Sequence, residues 1–216
     1  YVADEVVKLA ANTVTLRSGT TIEARTVVLA AGPWSGEVAA TAGIALPVEP
    51  RRRSVFVFDY QKEGRELPDL TPLTIDLSGT WFRPEGRFYI GGTTPAEGND
   101  PPTAPLEVQH QEWDDMVWPT IAHRVPAFEA AKVVTSWAGY YEYNTFDQNG
   151  IVGRHPAIES LIFATGFSGH GIQQSPAVGR AVAELIVHGS YRTLDLNTFG
   201  YDRIESGRPI RELNVV

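Results

Sequence analysis

Leu161-Ile162-Phe163-Ala164 is a short apolar run that opens directly into Thr165-Gly166-Phe167-Ser168-Gly169-His170-Gly171, and a helical pattern follows. The run has the length and continuity of a strand buried on both faces. Three glycines within residues 166–171 permit positive φ and close approach of another group to the backbone. Beyond them Val178, Ala181, Val182, Leu185 and Ile186 fall on one helical face, Pro176 suits the first helical turn, and Gly189 ends the helix. Strand, glycine turn and helix in this order set free backbone N–H groups and a positive helix end against an anionic or electron-rich ligand. Taken alone, the same pattern fits a tight turn that needs positive φ and binds nothing.

A second apolar run, Val27-Val28-Leu29-Ala30-Ala31, also reads as a strand covered on both faces, and it ends at Gly32-Pro33. Ser35 is placed to cap a short helix from Gly36 to Ala42 that Gly43 terminates. Two parallel strands delivering small residues at their carboxyl ends form the usual crevice of an open α/β sheet, which favours the ligand reading. Before them, Val14-Thr15-Leu16, a turn at Ser18-Gly19 and Thr21 to Ala24 read as a hairpin. From Pro47 the character changes. Pro47, Pro50, Pro68, Pro72 and Pro84 punctuate short runs at Val55 to Phe58, Leu73 to Leu77 and Phe88 to Ile90, which read as antiparallel strands. Thr93 to Pro105, rich in Pro and Gly, reads as a surface loop and a lid. A helix is expected from about Glu107, with Trp113, Met116, Val117 and Ile121 at helical spacing and Pro119 kinking or restarting it. A strand follows over Lys132 to Tyr143, then a turn at Asp147 and Asn149-Gly150.

Charge and composition remove several functions. There are 18 basic against 26 acidic residues, a net of −8, which argues against nucleic acid or an anionic lipid surface bound through bulk charge. Arg51-Arg52-Arg53 reads as a charged entrance to a strand, or else as an anion site. Cysteine is absent, which excludes disulfides, thiolate metal sites and cysteine nucleophiles within the chain. His110, His123, His155 and His188 lack metal-ligand spacing and read as surface or capping residues, so no metal site is expected. No apolar run approaches the roughly 18 residues of a membrane span. Gly166-Phe167-Ser168-Gly169-His170 nearly spells a serine-hydrolase elbow. It fails because His170 stands where glycine is needed and no histidine follows Asp195 or Asp202 to complete the order Ser, acid, His.

Trp137, Tyr140, Tyr141 and Tyr143 form an aromatic run whose members project from both faces of a strand, some into a core and others toward a flat ring or an amine. Leu29-Ala30-Ala31-Gly32-Pro33-Trp34 and Phe163 to Gly171 together resemble the D-amino-acid oxidase and sarcosine oxidase superfamily of FAD-dependent oxidoreductases, where both segments contact flavin. Trp137 to Gly150 (WAGYYEYNTFDQNG), Val125 to Glu129 and Gly179 to Glu184 narrow the likeness to a subfamily that includes a mitochondrial factor of respiratory complex I assembly and bacterial relatives. The likeness extends over nearly the whole chain.

The resemblance implies a mixed α/β (α+β) fold: part of a Rossmann-like FAD-binding domain over residues 1–46 and 139–190, an antiparallel-sheet substrate domain over 47–138, and a tail over 191–216. It implies an oxidoreductase that takes hydride from a C–N bond of an amine or amino acid. Ala31, Gly32, Trp34, Gly166, Phe167, Ser168, Gly169 and Gly171 would contact the cofactor. His170 and Gln173 would lie at the flavin–substrate boundary, with Tyr141 and Tyr143 in the pocket wall. Tyr140 stands where sarcosine oxidases attach flavin through cysteine, so FAD is expected to be non-covalent. Tyr89 and Gln173 stand where those oxidases carry lysines for oxygen and for the substrate carboxylate, so neither property carries over. The alternative is a flavin-binding assembly factor whose partners are complex I subunits. The expected location is the mitochondrial matrix in a eukaryote and the cytoplasm in a bacterium. Tyr1 is no initiator and Met116 is the single methionine, so the chain reads as a fragment whose dinucleotide fingerprint lies upstream; alone it would hold flavin weakly and tend to aggregate.

Overall fold

The computed structural model describes residues 1–60, 71–95, 98–102 and 104–211. In chain order the strands and helices begin with β1 (Val6–Ala10), β2 (Thr13–Leu16), β3 (Thr21–Glu23), β4 (Val27–Leu29) and α1 (Ser35–Ala40). Next come β5 (Val48–Asp59), β6 (Thr74–Ile75), β7 (Trp81–Glu85), β8 (Phe88–Gly92), α2 (His110–Glu112), α3 (Trp118–Arg124) and β9 (Lys132–Asn144). The chain finishes with β10 (Ile151–Arg154), β11 (Leu161–Thr165), α4 (Gly171–His188) and α5 (Asp202–Glu205). No helix among the described residues is long and apolar enough to cross a membrane. The chain divides into two units, one of Tyr1–Pro50 with the chain from Tyr141 on, the other Arg51–Tyr140. The crossings fall inside β5 and β9.

The first unit is built on a three-stranded sheet ordered β10-β11-β4. Strand β11 pairs parallel with β4, Leu161 opposite Val27 and Phe163 opposite Leu29, and antiparallel with β10. Its residues Leu161, Ile162 and Phe163 are almost fully buried because both faces are covered. On one side Leu161, Phe163 and Ile151 pack with Leu9, Leu29, Ala39, Leu46, Val48 and Tyr201; on the other, Val152 packs with Phe167, Ala181 and Leu196. Strand β4 departs from the expectation of two-sided burial. It stops at Leu29 and is the sheet edge among the described residues, so Val28 is 38% exposed. The expected hairpin is β2–β3, and β1 extends it to a three-stranded antiparallel sheet.

Helix α4 ends as expected at Gly189, whose φ of 73° closes the last turn in the left-handed conformation. Pro176 sits inside the helix, not in its first turn. Its missing N–H leaves the Ile172 carbonyl without an i+4 donor, and the Ser175 hydroxyl donates to that carbonyl at 2.9 Å instead. Ser35 is likewise no cap: it is the first residue of α1, fully buried, and its hydroxyl serves the site described below.

The second unit is a five-stranded sheet ordered β6-β7-β8-β5-β9, antiparallel at β6–β7, β7–β8 and β8–β5, over an aromatic core. Phe128 is fully buried, and the rings of Phe58, Tyr60, Phe82 and Tyr89 lie 5.0 to 5.3 Å from it. The expected helix starts at His110 and passes through a π-helical turn, Trp113–Val117, before Pro119 restarts it as α3. That wide turn lets Trp113, Val117 and Ile121 share the core. Arg51–Arg53 lie within β5, where Asp100 pairs with Arg53 at 2.9 Å and with Arg51 at 3.8 Å. The loop expected over 93–105 carries no strand or helix at its described residues; Pro68, Ala96, Glu97 and Thr103 lie outside them.

His155 proves to be a capping residue, but a buried one. Its Nδ1 accepts the N–H groups of Ala157 and Ile158 at 3.0 and 3.2 Å, and its ring stacks on Tyr201 at 5.2 Å. Burial lowers its pKa from the ordinary 6.5, against a smaller opposing pull from Glu205. The folded chain therefore resists a proton that the unfolded chain accepts, so this contribution is full above 6.5 and is lost as pH falls through the lower folded value. Denaturant unfolding on either side of pH 6.5 is expected to show stability falling on acidification, with the slope reduced in His155→Asn; an equal slope in the variant would assign the dependence elsewhere.

Candidate active site

The parallel pairing of β11 with β4 puts the two glycine turns at the same end of one strand pair. After Leu29 the chain passes Ala31 and enters a 3₁₀ turn, Gly32–Trp34, with Gly32 at φ 55°. After Thr165 it passes Gly166 (φ 75°), Ser168 (φ 47°) and Gly169 (φ 92°) into α4. The Thr165 hydroxyl lies 2.6 Å from the Ser35 hydroxyl and 3.0 Å from the Glu142 carboxylate, and the same carboxylate oxygen accepts the Gly166 N–H at 2.9 Å. Glu142, from the end of β9, thus holds the second turn, and the Thr165–Ser35 hydroxyl contact links that turn to the start of α1. Because the carboxylate accepts only, the one proton between each hydroxyl and its neighbour is drawn toward Glu142.

Strand alternation places Tyr141 and Tyr143 on one face of β9, and their ring centroids lie 6.3 Å apart. Tyr141 packs against Gly169 so closely that a Cβ there would come within 2.8 Å of its ring. Gln148 donates to the Tyr143 hydroxyl at 2.9 Å. Ser168 is fully buried; its Oγ accepts the Asn144 N–H at 3.0 Å and lies 3.4 Å from the Gly166 carbonyl. That hydroxyl is committed to the backbone, which disposes of the serine-nucleophile reading. The Phe167 side chain is also core, its ring filling the space a Gly150 Cβ would need. Both residues shape the turn with their side chains.

His170 precedes α4, and the helix's first main-chain bond runs from the Gln174 N–H to the His170 carbonyl. The N–H groups of Gly171, Ile172 and Gln173 come before that bond and have no acceptor within the helix. Around this turn the surface is open: Gln173 is exposed, Ile172 is 87% exposed and Trp34 51%. A cleft of about 730 Å³ borders Ala31 and Trp34; its other walls are the valines Val6, Val7 and Val38, Thr41, and the acidic residues Asp4, Glu5 and Glu37. The features that fit a flat cofactor with an electron-rich edge are the N–H groups at the start of α4 and a Gly32 with nothing within 4 Å of where a Cβ would stand.

The family described as FAD dependent oxidoreductase matches residues 2–185. This chain belongs to that family. FAD is the cofactor of the family. Among relatives, a Xenopus laevis protein named FAD-dependent oxidoreductase domain-containing protein 1 is 52% identical over 208 residues, covering 90% of this chain and 41% of its own length. Among solved structures, L-proline dehydrogenase from P. horikoshii superposes with a TM-score of 0.78 at 28% identity, over 92% of this chain and 51% of the other. Glycine oxidase from Geobacillus kaustophilus gives 0.77 at 25%, over 93% and 52%. The chain therefore spans about half or less of the length of the proteins it matches.

Sequence reasoning identified both turns but not what holds them. Glu142 and Asn144 carry no role in the sequence reading, and Ser35 only that of a helix cap, although the alternation in Tyr141-Glu142-Tyr143-Asn144 already sets a carboxylate and an amide on the face opposite the two tyrosines. Asp147 was read as a turn residue; it is a buried anion paired with Arg203 at 2.8 Å. Burial pushes its pKa up, but the Arg203 guanidinium and the Ile210 N–H outweigh that and leave it below 3.8. Tyr89 sits in the aromatic core of the second unit with its hydroxyl donating to Thr71 at 3.2 Å, so it fills no lysine-like role.

The two glycines separate backbone strain from packing. At Gly32 alanine meets only the left-handed φ, about 1–2 kcal/mol, whereas at Gly169 it meets that strain and the Tyr141 ring as well. Gly169→Ala is expected to lower unfolding free energy clearly more than Gly32→Ala in denaturant titrations; equal losses would mean Tyr141 yields freely.

Proposed function

We propose that this chain carries the flavin-edge half of an oxidoreductase that removes hydride from the C–N bond of an amine or amino acid. FAD, held without a covalent bond, supplies the hydride acceptor. The observation that carries the reading is the convergence of the Gly32 turn, the Gly166–Gly171 turn and the start of α4 at one end of β4–β11, with the Thr165 hydroxyl between Ser35 and Glu142. The names of two structural relatives, a proline dehydrogenase and a glycine oxidase, support the substrate class.

In this reading Ala31, Gly32 and Trp34 hold one side of the cofactor, and the main chain from Gly166 to Gly171 holds another. The α4 N-terminus offers N–H donors and a positive helix end to negative charge that develops there, a stabilisation of about 1–2 kcal/mol when water is kept out. These donors are set before reaction, so little reorganisation is needed. His170 and Gln173 flank the substrate side, and the paired rings of Tyr141 and Tyr143 form a wall that takes an apolar substrate body and excludes water. Tyr140 donates to the Ala104 carbonyl at 3.1 Å and offers no covalent attachment point.

A second reading, a flavin-binding assembly factor for respiratory complex I in mitochondria, is favoured by one observation: Gln173 is neutral and Tyr89 is core, so neither position supplies a cation. Full-length protein reconstituted with FAD and mixed anaerobically with a panel of amines and amino acids separates the two. Bleaching of the flavin absorbance by one of them is the expected result. Stoichiometric flavin that no substrate reduces, with capture of respiratory subunits, would favour the assembly factor, and folded full-length protein that takes up no FAD would overturn both.

A further inference from the structure

The Ser168 turn is backed by a buried polar chain that begins in the C-terminal segment. Arg203, 3% exposed, donates from Nε and an Nη to the two carboxylate oxygens of Asp147 at 2.8 and 3.0 Å. Its remaining donors reach the carbonyls of Phe199, Gly200, Asn149 and Gly150. Asp147 in turn accepts the Asn144 side-chain amide at 2.9 Å and the N–H groups of Asn149 and Ile210. The Asn144 amide is used on its other side by the Phe146 N–H, so Asn144 has no rotational freedom left. The Asn144 main-chain N–H then holds the Ser168 hydroxyl.

We propose that Asp147 and Arg203 are positioning residues for the cofactor turn, holding Ser168 in its left-handed conformation and so aiming the first turn of α4. This rests on the reading of that turn as the flavin contact. Two links make the effect local. Asn144 reaches the Ser168 hydroxyl, and Gly150, whose carbonyl Arg203 holds, packs against the ring of Phe167 next door. A buried ion pair is a poor source of stability, since apolar residues of like volume serve as well or better. What it supplies here is direction. A carboxylate takes five N–H donors from four residues into one geometry, and no apolar group imposes that. Ser168 at φ 47° is held against its backbone preference, and release of its hydroxyl frees the turn to relax.

The test uses the full-length FAD-loaded protein and three variants: Asp147→Asn, Arg203→Lys and Ser168→Ala. FAD dissociation constant and reduction potential are measured on folded protein below its unfolding midpoint. Asp147→Asn is expected to weaken FAD binding about tenfold or more and to make the potential more negative. Arg203→Lys, which keeps the charge without the fork, should fall between it and wild type. Ser168→Ala removes the hydroxyl while keeping the Cβ that disfavours positive φ, and should reproduce the Asp147→Asn effect. If Asp147→Asn does not fold, Ser168→Ala decides alone. Folded variants with lowered melting temperature but wild-type affinity and potential would overturn the proposal and leave the flavin reading standing. Full-length wild type that binds no FAD would instead overturn the reading on which it rests.

Discussion

Leu29 and Phe163 lie opposite each other in a parallel strand pair, and everything at the candidate site follows from that register. The partners are far apart in sequence, with the whole second unit between them. Closing so long a loop is less costly than it looks, because the entropy rises only with the logarithm of length, about 0.6 kcal/mol per doubling. Burial of Leu161, Ile162 and Phe163, each worth roughly 1.5–3 kcal/mol, is ample to offset it. The pairing also explains why the intervening unit has its own aromatic core around Phe128: the insertion must hold itself together while the strands on either side find each other.

With the strands in register, the turns beyond them become neighbours, and their small residues leave backbone accessible. Open backbone at a strand end is conformationally loose unless something holds it. Here the holding groups are polar and come from behind, Glu142 on Gly166 and Thr165, Asn144 on Ser168. Glu142 takes the Gly166 N–H, the N–H groups of Gly171, Ile172 and Gln173 stay outside the helix's own bonds, and the Ser168 hydroxyl bond holds its positive φ. Preorganisation in this chain is thus a division between two sides of one turn.

Much of this was legible in the sequence, and the parts that were not share a cause. Continuous apolar runs at 27–31 and 161–164, glycine at 166, 169 and 171, and the helical face through Ala181 and Leu185 are local patterns, and they gave the turns and their order. Val28 is exposed because β4 is the sheet edge among the described residues, and a continuous apolar run does not by itself say which strand neighbours it. Pro176 was placed a turn too early because a hydroxyl one residue before it can replace the lost main-chain bond. Arg203 and Asp147 were invisible as a pair, because 56 positions separate them and nothing local marks either as buried. Glu142 was the recoverable omission: a carboxylate on the inward face of an aromatic strand has to find donors.

The account turns on a single spatial claim, that the Gly32 turn and the start of α4 grip one flavin. A crystal structure of the full-length protein with FAD measures it directly. The expected result is an isoalloxazine ring in contact with Gly32 on one side and within hydrogen-bonding distance of the Gly171–Gln173 N–H groups at its edge. FAD bound in the same crystals with either turn out of contact would contradict it.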